Sequence, residues 1–172
     1  MAGPGFEPAG GPVTPPPVAV PKAKQSFAGM MAAIVALERE VAKAVKEAKE
    51  SDEPRVYEWR PPGVPELPCI YNWIADGSYE VVDTARGDDL VVVTATIGVK
   101  PSDIAESAGQ LMRLTDIFRS VVDPALNQNG PLERSVRYAK RVITRTHIED
   151  FDGVYVMCME MLIRCELTAS IG

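Results

Sequence analysis

"VYVMCMEMLIRCEL", residues 154–167, decides the fold class of this chain. Tyr155, Met157, Met159, Met161, Ile163, Cys165 and Leu167 hold the odd positions and are all apolar, whereas Glu160, Arg164 and Glu166 fall on even ones. A period of two is that of a β-strand with one dry face. A helix is the rival reading, because Met and Leu favour helices and Glu160 and Arg164 are spaced for an i,i+4 pair. Gly153 and the Val-Tyr-Val opening favour the strand. The run carries three charges and is shorter than the roughly 20 apolar residues a bilayer requires, which excludes a membrane span. At ~3.3 Å per residue the strand extends about 46 Å, well beyond the usual length in a globular domain. Such a strand is expected to bend or to reach past its own sheet.

Upstream, "DFDG" contains Asp152-Gly153, a favoured hairpin pair, and "VITRTHI" (142–148) alternates loosely as the preceding strand. A short helical turn is expected over 132–140. "SFAGMMAAIVALEREVAKAVKEAKE" spaces Phe27, Met30, Ile34, Leu37, Val41 and Val45 by three or four, with Ser26 as cap and Glu38, Arg39, Lys43, Lys46, Glu47 and Glu50 on the other side. "PSDIAESAGQLMRLTDIFRSVV" reads as a second helix, started by Pro101 to Asp103, buried through Ile104, Leu111, Leu114, Phe118 and Val121, and ended with help from Pro124. Between them a strand is expected at Cys69 to Ile74, and "SYEVVDTA" and "LVVVTATIGV" form a hairpin about "RGDD". Leu90 to Val93 are apolar at every position, as in a strand buried on both faces. The expectation is therefore an α+β fold, a largely antiparallel sheet with two main helices packed on one face. Residues 1–25, rich in proline and glycine, form an extended arm, and 26–172 a single α+β domain. The candidate partner for the arm is another subunit.

A chain of 172 residues suffices for one core. The first residues show neither a basic start nor an apolar core, so no secretory signal is expected. Cys69, Cys158 and Cys165 are an odd number without framework spacing, and Cys158 and Cys165 fall on opposite faces of their strand, which fits a reducing compartment. A net charge of −6 argues against nucleic acid as the main ligand.

Catalytic signatures are sparse. His147 is the only histidine, which excludes multi-histidine metal sites, and nothing local supports a Cys-His pair. No GxGxxG or P-loop pattern occurs. No enzyme activity, cofactor or metal is expected. The one charge feature is a run of bases, Arg134, Arg137, Lys140, Arg141 and Arg145, with no acid among them. It reads either as a candidate interface toward an acidic neighbour or DNA in transit, or as a solvated edge that discourages pairing.

In order, the amphipathic opening helix, "VYEWRPPGVPELPCIYNWI", "DDLVVVTATIGVKPSDIAESAGQLMRLTDIFRSVV" and "GVYVMCMEMLIRCEL" resemble the tail terminator proteins of long-tailed bacteriophages, over about residues 27 to 167. The proline-rich arm departs from the compact members of that family. The resemblance implies a structural virion protein, assembled in the host cytoplasm, that forms a homo-oligomeric ring of six at the head-proximal end of the tail. It implies contact with the major tail tube protein and with the head connector or neck, DNA only in transit through the lumen, no membrane and no catalytic residue. Another neck or head completion protein of the same virion is the nearer alternative. A small cytosolic enzyme or ligand-binding α+β domain is the distant one.

Overall fold

The computed structural model describes residues 26–74, 79–83, 88–127 and 138–168. Helix α1 (Phe27–Ala48) is followed by strands β1 (Arg55–Tyr57), β2 (Cys69–Trp73), β3 (Tyr79–Asp83) and β4 (Asp88–Val99). Helix α2 (Ile104–Asn127) then leads to β5 (Tyr138–Phe151) and β6 (Val154–Thr168). The strands form one sheet in the order β1-β2-β4-β6-β5, with β3 also on β4. Among the described residues only the β1–β2 pair is parallel. Both helices pack on the same face, so the α+β class and the helical layer read from the sequence hold. The arm (1–25), the "RGDD" turn at residues 86 and 87 and most of the 132–140 turn lie outside the described residues, and Tyr138 to Lys140 are already strand.

Local chemistry places the helix ends. Ser26 Oγ accepts from the Gly29 amide at 3.1 Å, capping α1. Asp103 Oδ1 accepts from the Ala105 amide at 2.9 Å and caps α2. As first residue of that helix, Ile104 points away from the sheet and is 79% exposed, which corrects its placement in the buried stripe. Leu111, Leu114 and Phe118 are buried as expected, joined by Val122, while Val121 is half-buried. Pro124 does not end α2 but sits inside its last turn, where the missing amide costs one bond near a helix end.

The odd residues of β6 from Met157 to Leu167 face the helices, together with Val91, Val93, Ala95, Ile97 and Val99 of β4. The even ones face the other way, where Val156 and Cys158 join Cys69, Tyr71 and Phe151 in a smaller core. Gly98 makes that second core close-packed: a Cβ there would lie 2.9 Å from Val156 Cγ1 and 3.0 Å from Cys69 Sγ. Leu90, Val91 and Val93 are buried and Val92 half-buried, as a central strand requires. The cysteines are all free, and Cys158 and Cys165 lie on opposite faces.

Two expectations fail. Of the two outcomes expected for the long terminal strand, a bend or a reach past its own sheet, the reach does not occur, because β4 pairs along one side of it and β5 along the other. The long edge belongs instead to β5, whose outer side has no strand partner among the described residues. Glu38, read as part of the solvated side of α1, is fully buried, because the apolar face of α1 also takes in Met31, Val35 and Ala42 and carries Glu38 inward with them.

Glu38 Oε2 accepts from Asn72 Nδ2 at 2.8 Å, while Glu38 Oε1 and Asn72 Oδ1 have no partner. Burial pushes the Glu38 carboxyl up to about 8, against smaller opposing effects of the Asn72 bond and Arg39. The folded chain thus keeps this proton up to about pH 8, whereas the unfolded chain loses it near the ordinary 4.5. Between those values the unfolded state binds fewer protons, so stability falls as pH rises and levels off above the upper one. Glu38→Gln keeps the shape without the titration. Urea unfolding is expected to show the variant more stable by on the order of 3 kcal/mol near pH 7, the advantage shrinking toward pH 5.

Candidate functional site

At the β5–β6 turn, Asp152 and Gly153 have φ of 53° and 84°, the positive values that a two-residue type I′ turn needs at both central positions. The Gly153 amide also donates to Asp150 Oδ1 at 2.7 Å. This turn sets the register, pairing Phe151 with Val154, Glu149 with Val156, His147 with Cys158 and Arg145 with Glu160. Directly paired residues share a face, so these side chains meet on the side of the sheet opposite the helices.

There they form a connected polar cluster. Arg145 Nε bonds Glu160 Oε2, and Glu160 is only 3% exposed. Arg60 Nε donates to Glu149 Oε1 at 2.5 Å, and its guanidinium lies 4.5 Å over the Phe151 ring. Tyr71, edge-on to Phe151, donates its hydroxyl proton to Glu149 Oε2 and lies 3.8 Å from Cys158 Sγ. His147 Nε2 stands 3.7 Å from both Glu149 Oε2 and Glu160 Oε1. Thr96 of β4, across from Glu160 on β6 and Tyr71 on β2, is fully buried with an unpartnered hydroxyl. His147 Nδ1 is likewise buried without a protein partner.

The electrostatics follow from burial and pairing. Each carboxylate has an arginine on one oxygen, the charge compensation that burial demands. Burial pushes the Cys158 thiol up to about 12, so alone it is a neutral thiol and a poor nucleophile. Burial, and then the bond to Glu149, hold the Tyr71 phenol well above its ordinary range. The cluster has the donor atoms of a ligand site but no activated nucleophile.

The basic run divides. Arg134 and Arg137 lie outside the described residues, and Lys140 and Arg141 lie on β5 opposite Arg164 and Ile163. Arg145 has an acid partner that the local sequence does not show, Glu160 on the next strand. It is committed to the cluster as well as facing solvent.

A second feature lies on the helix side of the same edge. Ala108, Leu111 and Met112 of α2 face Ile148, Met157 and Met159 across an apolar groove of about 310 Å³. Met112 and Ile148 are 63% and 64% exposed, and Tyr155 near the hairpin tip is 60% exposed.

Sequence reasoning passed over Tyr71, Glu149, Cys158 and Glu160 as site residues. For the three on the hairpin a signal existed: counting outward from Asp152-Gly153 pairs His147 with Cys158 and Arg145 with Glu160. For Tyr71 and Arg60, which arrive from another part of the chain, there was none. No family model matches the sequence, and no curated protein matches it.

Arg145→Ala is expected to lower the urea midpoint, because Glu160 would keep a buried charge and lose the arginine that pairs with it. Adding Glu160→Gln to that variant is expected to restore most of the loss, and a double variant no better than the single one would refute the coupling.

Proposed function

We propose that the chain is an architectural subunit of a phage virion, a tail terminator that closes into a homo-oligomeric ring on the head-proximal end of the tail tube. In this reading the ring stops polymerisation of the major tail tube protein and offers its other face to the head connector. The observation that carries it is the outer edge of β5, 14 residues long and without a partner among the described residues, lying beside the Met112–Ile148 groove.

A strand edge presents a row of free amides and carbonyls, which monomeric proteins keep short or covered. A long edge flanked by exposed apolar side chains suits pairing with a neighbouring copy, which is how identical chains knit into closed rings. The bases on β5 then meet an acidic neighbour, consistent with a net charge of −6 per chain. An acidic subunit also repels DNA phosphate and so leaves passing DNA free to move. The order of helices and strands that resembles tail terminators supports the same reading, and no reaction is assigned to the chain. The β6 strand does not support it, since both of its edges are used internally.

Deleting the gene from its phage is expected to give over-long or headless tails, seen by electron microscopy. Tails of regular length that still fail to join heads would instead favour a neck or head completion protein, and normal virions would refute both. In the purified chain, Met112→Asp with Ile148→Asp is expected to weaken assembly without unfolding, as both positions are exposed. Lys140→Glu with Arg141→Glu is expected to weaken it in a salt-sensitive manner; unchanged assembly would remove β5 from the interface.

A further inference from the structure

The polar cluster on the open face is arranged as a metal site. We propose that His147, Glu149 and Cys158 bind a divalent cation of the zinc class with a water in the fourth position and Glu160 alongside it, and that the ion acts as a structural staple between β5 and β6.

Three observations carry this. First, ligand atoms of His147, Glu149 and Cys158 all lie within 4.8 Å of one another. His147 and Cys158 are a directly paired couple on adjacent strands, so the sheet sets their spacing. Glu149 and Glu160 lie on the two diagonals from that couple, within the reach of long side chains. Donors about a tetrahedral zinc, at roughly 2.0–2.3 Å from it, stand about 3.3–3.7 Å apart. The 3.7 Å from His147 Nε2 to each carboxylate matches that spacing, and is too long for a direct hydrogen bond.

Second, the carboxylates are held as metal ligands usually are, with one oxygen fixed from behind and the other turned inward. Arg60 holds Oε1 of Glu149 and Arg145 holds Oε2 of Glu160, leaving the opposite oxygens toward His147 Nε2. Tyr71 steadies Glu149 Oε2, which keeps a second lone pair for a metal. Third, Thr96 lies fully buried on the same face, next to Glu160 in the register, with an unpartnered hydroxyl. An ion in the cluster, or a water bound to it, supplies the partner that the protein does not.

The donor set selects the ion. Sulfur with imidazole and carboxylate suits zinc and its neighbours, whereas magnesium and calcium take oxygen ligands. On binding, the Cys158 S–H proton passes to solvent and the thiolate bonds the metal, with no redox change. Entry is from the side of His147 and Glu149, since both are only partly buried. The inference concerns the isolated chain and does not depend on ring formation.

The test uses the full chain, stripped with a chelator and titrated with Zn²⁺ or Co²⁺. Zn²⁺ is expected to raise the melting temperature with one ion per chain, and Co²⁺ to give a thiolate-to-cobalt charge-transfer absorption. Cys158→Ser abolishes that absorption, while Cys165→Ser, on the other face of β6, leaves it intact. His147→Gln, at a partly exposed position, folds and binds Zn²⁺ about tenfold or more weakly. Should Cys158→Ser not fold, the parent's absorption and the His147→Gln affinity decide. No Co²⁺ absorption in the parent, an absorption that survives Cys158→Ser, or an unchanged affinity in His147→Gln would overturn the proposal.

Discussion

The pairing of β6 with a strand on each side is the constraint on which the rest of this structure depends. It runs from Asp88–Thr168 to Val99–Met157 on one side and from Tyr138–Glu166 to Phe151–Val154 on the other. A residue in the middle of such a ladder has its backbone groups satisfied within the sheet, so only its side chains remain to be placed. The alternation then sends Met161, Ile163, Cys165 and Leu167 under the helices and Val156, Cys158 and Glu160 to the open face. A one-residue slip would exchange the two sets, burying Glu160 in the apolar core. The Asp152-Gly153 turn opposes that slip, because a two-residue loop admits one register.

From this constraint the two faces acquire different chemistry. The helix face is an apolar core in which, among the described residues, the buried acid is Glu38, met by a single amide from Asn72. The open face is only partly apolar. It closes over Cys69, Tyr71, Phe151, Val156 and Cys158 near the hairpin, then turns to paired charges at Glu149, Glu160, Arg60 and Arg145. These charges hold together elements far apart in sequence: Tyr71 reaches Glu149 across 78 positions and Arg60 reaches it across 89. Buried polar pairs of this kind contribute less net stability than apolar packing of equal size, but they strongly penalise arrangements that separate the partners.

The interior position of β6 also moves the sticky edge to β5. An edge strand of this length in a monomer would invite uncontrolled pairing. The reading of the chain as a subunit turns that liability into an interface, with the hairpin presenting the edge outward and the polar cluster stiffening its base. The apolar groove beside Met112 and Ile148 and the polar cluster lie on opposite faces of that hairpin.

What the sequence determined was local. The period of two in 154–167, the three-to-four spacing after Ser26 and the turn pair Asp152-Gly153 were legible because each depends on residues a few positions apart, and each matches the structure. The ends of α2 were read less well, since a proline in a last turn and an apolar first residue are decided by what lies outside the helix. Tertiary structure alone decided that β6 is central and β5 the edge, that Glu38 is buried, and that Tyr71 and Arg60 arrive beside His147 and Cys158. The physical reason is that periodicity reports which side of an element is dry, but not which element covers it. Strand order, and with it the meeting of the cluster's residues, follows from how distant segments share one sheet.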